Sequence, residues 1–79
     1  MTLRFIAKDP TSNPGRCPAV FVDNTTGDLI LQGWTVTDRA TLGSAAADNP
    51  RADDETLIRL PARMRDVVRQ AIDVADTLV

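Results

Sequence analysis

The sequence predicts an α+β fold: a three- or four-stranded antiparallel sheet with one long C-terminal amphipathic helix packed on one face. Short β-like runs separated by turn residues precede position 61, and the clearest pair of runs predicts a β-hairpin centred on residues 19–36. After Pro61, apolar residues recur at steps of three and four, which is typical of one face of a helix. The 79 residues suffice for a single small domain, 1–79, with a modest core.

Four β-strands are predicted from apolar and β-branched residues that lie between turn signals. In chain order they span residues 2–6, 19–23, 28–36 and 56–60. The middle two form the hairpin, because the tetrapeptide Asn24-Thr25-Thr26-Gly27 suits a turn with Gly27 in a left-handed conformation. Gly33, inside the second arm, predicts a bulge or a bend.

Two further segments, 8–18 and 37–55, are predicted as loops. The first contains three prolines and a glycine, and the second contains the run GSAAADNP, which is typical of a flexible connection. At the start of the second loop, Thr37 or Asp38 could cap a short helix over residues 39–42.

The predicted helix spans about residues 62–78, and Pro61 fits its first turn. Its apolar stripe, about 160° wide, consists of Met64, Val67, Val68, Ala71, Ile72, Ala75 and Leu78. We expect this stripe to form the core together with four residues of the hairpin, namely Val20, Val22, Leu29 and Leu31.

Both faces of the hairpin carry apolar residues, whereas one helix is about two strands wide and covers one face. An exposed apolar patch usually marks an interface. We therefore predict that Phe21, Ile30 and Trp34 contact a second copy of the chain, as a homodimer, or another protein. Coverage by the loops of a monomer is the alternative, and for Trp34 a core position or a separate binding site also stays open. Strand addition at a sheet edge is a second route to association.

Four arginines cluster around the start of the predicted helix, namely Arg59, Arg63, Arg65 and Arg69. Their charge opposes the helix dipole, so they are candidates for binding an anion or a nucleic acid. The alternatives are ion pairs with nearby acidic residues or contact with an acidic protein. Nine basic and eleven acidic residues give a net charge of −2, which argues against binding nucleic acid by bulk charge.

The residue content argues against an enzyme, a cofactor or a metal site. Histidine is absent, which removes the commonest general base and the commonest zinc ligand. Cys17 is the only cysteine, and a packing role is favoured over a redox or intermolecular disulfide role. The sequence contains no phosphate loop, dinucleotide fingerprint, zinc pattern or calcium loop. The N-terminus lacks the apolar stretch of a secretory signal, and no apolar run approaches the roughly 20 residues of a membrane span, so we expect a cytoplasmic location.

The run CPAVFVDNTTGDLILQGWTVTD, followed by DETLIRLPARMR, resembles a group of small actinobacterial, streptomycete-type proteins encoded beside helix-turn-helix regulators. The layout is also loosely similar to that of BldB-like developmental regulators, in which a strand runs into a helix through a Pro-Ala step, here Pro61-Ala62. The chain differs from these regulators in having Gln32-Gly33-Trp34 where they carry a charged segment. The resemblance implies a regulatory accessory that binds protein, with a helix-turn-helix regulator as one partner, and it supplies no catalytic residues.

Overall fold

The computed structural model describes residues 2–11 and 15–78 and confirms the α+β class. Its strands are β1 (Leu3–Lys8), β2 (Ala19–Asp23), β3 (Leu29–Gln32), β4 (Trp34–Thr35) and β5 (Ile58–Arg59). Its helices are α1 (Arg39–Asp48), a 3₁₀ turn (Ala62–Met64) and α2 (Arg65–Asp76). Residues 12–14, within the predicted loop 8–18, lie outside the described residues, and β1 extends to Lys8 at the start of that loop.

The main sheet is antiparallel with the strand order β1-β2-β3, and its β2-β3 pair is the predicted hairpin. Phe21 of β2 lies opposite Phe5 of β1 and opposite Ile30 of β3. The pairing of β1 with β2 shifts by one residue between Phe5 and Ala7, which marks a bulge. The turn between β2 and β3 is closed by a hydrogen bond from the Gly27 N–H to the Asp23 carbonyl, 2.8 Å long, and Gly27 has φ +79°.

The core lies between the main sheet and α2, on the sheet face that we call the inner face. Its buried apolar residues are Val20 and Val22 from β2, Met64 from the 3₁₀ turn, and Ala71 and Ala75 from α2. Leu29 is partly buried against this cluster. Three residues predicted for the core are instead exposed to 39–43%, namely Leu31, Ile72 and Leu78. For Leu31 and Ile72 the physical reason is width, because a single helix seated on the central strand leaves the flanks of sheet and helix in solvent. Leu78 is exposed because α2 ends before it, at Asp76.

The predicted strand 28–36 is interrupted at Gly33, and its second part, β4, belongs to a separate two-stranded sheet with β5. Only Ile58 and Arg59 of the predicted strand 56–60 are in β conformation, and they pair with β4 rather than with the main sheet. Glycine is required at the junction, because a Cβ on Gly33 would lie 2.7 Å from the Arg59 carbonyl oxygen.

The segment 37–55 contains the ten-residue helix α1. The short helix expected over residues 39–42 is confirmed, and the prediction of a loop is wrong for residues 43–48, over which the helix continues. Asp38 caps this helix, since its carboxylate accepts a hydrogen bond of 3.0 Å from the Thr41 N–H. The helix has no apolar stripe and no buried residue, so the periodicity that identifies α2 is missing here.

Candidate protein-interaction surface

The sheet face opposite α2 carries a group of large apolar side chains, which we call the outer face. Its members come from three adjacent strands and are Leu3, Phe5, Phe21 and Ile30. Residues that lie opposite each other in an antiparallel ladder point to the same side of the sheet, so Phe5, Phe21 and Ile30 form one row across it. The rings of Phe5 and Phe21 contact each other with centroids 5.6 Å apart and a tilt of 56°.

These side chains remain exposed in the monomer. Phe5 is 54% exposed, Leu3 43% and Ile30 39%, while Phe21 in the centre of the row is half-buried between its neighbours. An apolar row of this kind cannot donate or accept hydrogen bonds, so the chemistry it supports is burial against another apolar surface.

The structure divides the three predicted interface residues between the two sheets. Phe21 and Ile30 lie together on the outer face, whereas Trp34 lies in β4 opposite Arg59. The Trp34 indole lines a cleft of about 210 Å³ with Arg16, Cys17 and Gln32. Its Nε1 atom is buried and has no hydrogen-bond partner among the described residues. Trp34 is half-buried and is not part of the core cluster.

The four arginines around the start of α2 all interact within the chain. Arg63 binds Asp9, and Arg59 lies 3.7 Å from the Asp38 carboxylate. In the two remaining cases Arg69 pairs with Asp66 one turn earlier, and the Arg65 Nε donates to the Ala62 carbonyl. The structure therefore matches three of the four charges with carboxylates.

The partner of Arg63 is Asp9, a buried acidic residue that anchors a loop to the helix start. The Asp9 side chain is fully buried, and it accepts hydrogen bonds of 2.9 Å from the Arg63 Nε and from the Thr11 hydroxyl. The Asp9 N–H donates to the Pro18 carbonyl over 2.8 Å. The hydrogen bond from Arg63 holds the pKa of the Asp9 carboxyl well below its usual range, although burial acts in the opposite direction.

Sequence reasoning missed this Asp9–Arg63 pair, which links residues 54 positions apart. The Asp-Pro-Thr order of residues 9–11 could have indicated that Asp9 accepts hydrogen bonds from Thr11, because an aspartate often accepts hydrogen bonds from the residue two positions later. Nothing local indicated that an arginine would complete the site.

Within residues 2–11 and 15–78, no group of three or more histidine, cysteine, aspartate or glutamate side chains is arranged to hold a metal ion. Over the same residues, the structure contains no helix of the length and apolarity needed to cross a membrane. The comparisons add no assignment, since no family model, curated protein or solved structure matches this chain.

Proposed function

We propose that this chain is a non-enzymatic protein-interaction module, a dimeric accessory of transcriptional or developmental regulation that binds a partner protein through the outer face. The observation that carries the proposal is the exposed apolar row of Phe5, Phe21 and Ile30. The resemblance to proteins encoded beside helix-turn-helix regulators supports such a regulator as the partner. Because that regulator would act in the cytoplasm, the same location follows for this chain.

Burial of the outer face against a partner would contribute favourable free energy to binding. A phenylalanine side chain presents about 200 Å² of surface, so the exposed half of Phe5 amounts to about 100 Å² of apolar area. At about 25 cal/mol per Å², its burial would contribute up to about 2.5 kcal/mol, before the costs of ordering and desolvating the interface are subtracted. Phe5 is therefore the residue at which to test the surface.

The test is a pull-down from the native host with three baits: the wild-type chain, Phe5→Lys and Ile72→Lys. Ile72 is the matched control, because it is an apolar residue 43% exposed on α2, away from the outer face. A regulator recovered with the wild type and Ile72→Lys, and lost with Phe5→Lys, is the expected result. Equal recovery with both variants would contradict the proposal.

Nucleic-acid binding through Arg59, Arg63, Arg65 and Arg69 is the alternative function. The intramolecular partners of these arginines favour a protein partner instead, since a phosphate would have to displace carboxylates at three of the four positions. A gel shift at low salt separates the two: a complex that weakens steeply with salt and is lost on Arg65→Ala would support the alternative.

A further inference from the structure

Strand β3 is an edge of the main sheet, and it lacks the features that protect such edges. Among the described residues it has a neighbouring strand on one side only, β2. Natural edge strands usually carry charged residues, prolines or bulges that prevent further pairing. Leu29–Gln32 contains none of these, and its register with β2 is regular throughout.

The side chains of this edge are exposed on both faces of the sheet. Ile30 on the outer face and Leu31 on the inner face are each 39% exposed. Consecutive residues of a strand point to opposite faces, so one additional strand beside β3 would cover both of them at once. A partner that packs only on the outer face would leave Leu31 in solvent.

The opposite edge of the main sheet, β1, has two of the protecting features that β3 lacks. It carries Arg4 and Lys8, both exposed, and it contains the bulge between Phe5 and Ala7. If two copies of β1 paired antiparallel about Ile6, Arg4 of one copy would lie opposite Lys8 of the other. Like charges that face each other across a ladder are destabilising, so this register of β1 self-pairing is disfavoured, and the bulge disturbs the ladder in any register.

Two copies of β3, in contrast, are complementary when a two-fold axis passes through Ile30. Ile30 then faces its own counterpart on the outer face, and Leu29 faces Leu31 of the other copy on the inner face. Asp28 comes opposite Gln32, so no like charges meet. Such an arrangement is isologous, as the interface of a closed dimer requires.

We propose that a second copy of this chain pairs through β3, antiparallel to the first, to give one continuous six-stranded sheet with both α2 helices on the inner face. This inference rests on the dimer of the proposed function and assigns it to the free edge of β3, which shares only Ile30 with the outer face. The two outer faces would then adjoin and stay open to a partner protein.

Light scattering after size-exclusion chromatography tests the pairing, with the wild type, Leu31→Lys and Phe5→Lys. We expect the wild type and Phe5→Lys to have twice the 8.6 kDa protomer mass, and Leu31→Lys to raise the dimer dissociation constant at least tenfold. A wild type that stays monomeric up to millimolar concentration would overturn both the pairing and the proposed dimer. If only Phe5→Lys is monomeric, the pairing fails, whereas the dimer of the proposed function stands, formed by the outer face.

A cross-linking experiment keeps the proposal open to refutation if Leu31→Lys does not fold. In a Cys17→Ser background, Ile30→Cys places one thiol from each copy at the proposed axis, and mild oxidation should give a disulfide-linked dimer. Asp28→Cys is the control, because its two copies would lie about 14 Å apart, too far for a disulfide. Cross-linking of Asp28→Cys without Ile30→Cys would overturn the proposed register and the proposal with it.

Discussion

Replacement of Met64 by alanine is expected to lower the free energy of unfolding by about 3 kcal/mol. Met64 is 1% exposed and packs in the cluster that contains Val20, Val22 and Ala71. The substitution removes three heavy atoms, which at about 0.8 kcal/mol each cost about 2.4 kcal/mol, and an incompletely collapsed cavity adds to this. A domain of this size has a total stability of about 4–12 kcal/mol, so the loss is a large fraction of it.

The matched control is Ile72→Ala in α2, the helix that follows the 3₁₀ turn containing Met64. The sequence pattern places Ile72 and Met64 in one apolar stripe, but Ile72 is 43% exposed. Its truncation also removes three carbons, of which little more than half of the surface is buried, and alanine has the higher helix propensity. The expected loss is therefore about 1 kcal/mol.

Urea denaturation followed by circular dichroism measures both variants. With a slope of about 1 kcal/mol per M, the midpoint should fall by about 3 M for Met64→Ala and by about 1 M for Ile72→Ala. The series is run at several protein concentrations, because self-association would couple to unfolding. Equal shifts for the two variants would refute the view that Met64 lies inside the core whereas Ile72 lies on the exposed flank of α2.

Two further predictions concern polar and glycine positions. The pKa of Asp9 is depressed in the folded state by Arg63, so its contribution to stability is complete above the ordinary carboxyl pKa near 4 and is lost as the pH falls below it. In acid titrations followed by circular dichroism, Asp9→Asn should be less stable at pH 7, and its difference from the wild type should shrink between about pH 4 and pH 2; a constant difference would contradict the ion-pair argument. Gly33→Ala should cost about 1–3 kcal/mol in thermal unfolding, because the new Cβ would meet the Arg59 carbonyl, whereas Gly43→Ala in α1 meets open space and should be neutral or stabilising by up to about 1 kcal/mol. The reverse order of stability would contradict this placement of β4 and β5.

The elements that could be predicted from the sequence are those that local chemistry specifies. Gly27 occupies the left-handed position that the turn requires, and the periodicity after Pro61 identifies α2 within two or three residues of its ends. The exposed outer face followed from a width argument alone, because Phe21 and Ile30 lie on the hairpin side that a single helix cannot cover.

The elements that could not be predicted depend on tertiary contacts or lack a pattern. Helix α1 has alanine-rich propensity without an apolar face, and Gly43 and Ser44 within it are typical of a loop. The pairing of Trp34 with Arg59 creates a second sheet from contacts 25 residues apart, which no local signal specifies. Arg63 was assigned to a surface cluster, although its partner is a buried aspartate near the other end of the chain.

One geometric cause underlies both proposed surfaces. Three strands span about 14 Å, whereas a helix covers about 10 Å, and α2 is seated over the central strand β2. Among the described residues, no helix packs on the outer face. On the inner face, α2 leaves the flanks of the sheet uncovered, where Leu31 is exposed. Strand pairing through β3 would cover Leu31 with Leu29 of another copy. On the outer face it would cover Ile30 but leave Phe5 and Phe21 of both copies exposed to solvent. The edge is therefore suited to a second copy of the chain, and the outer face to a different protein.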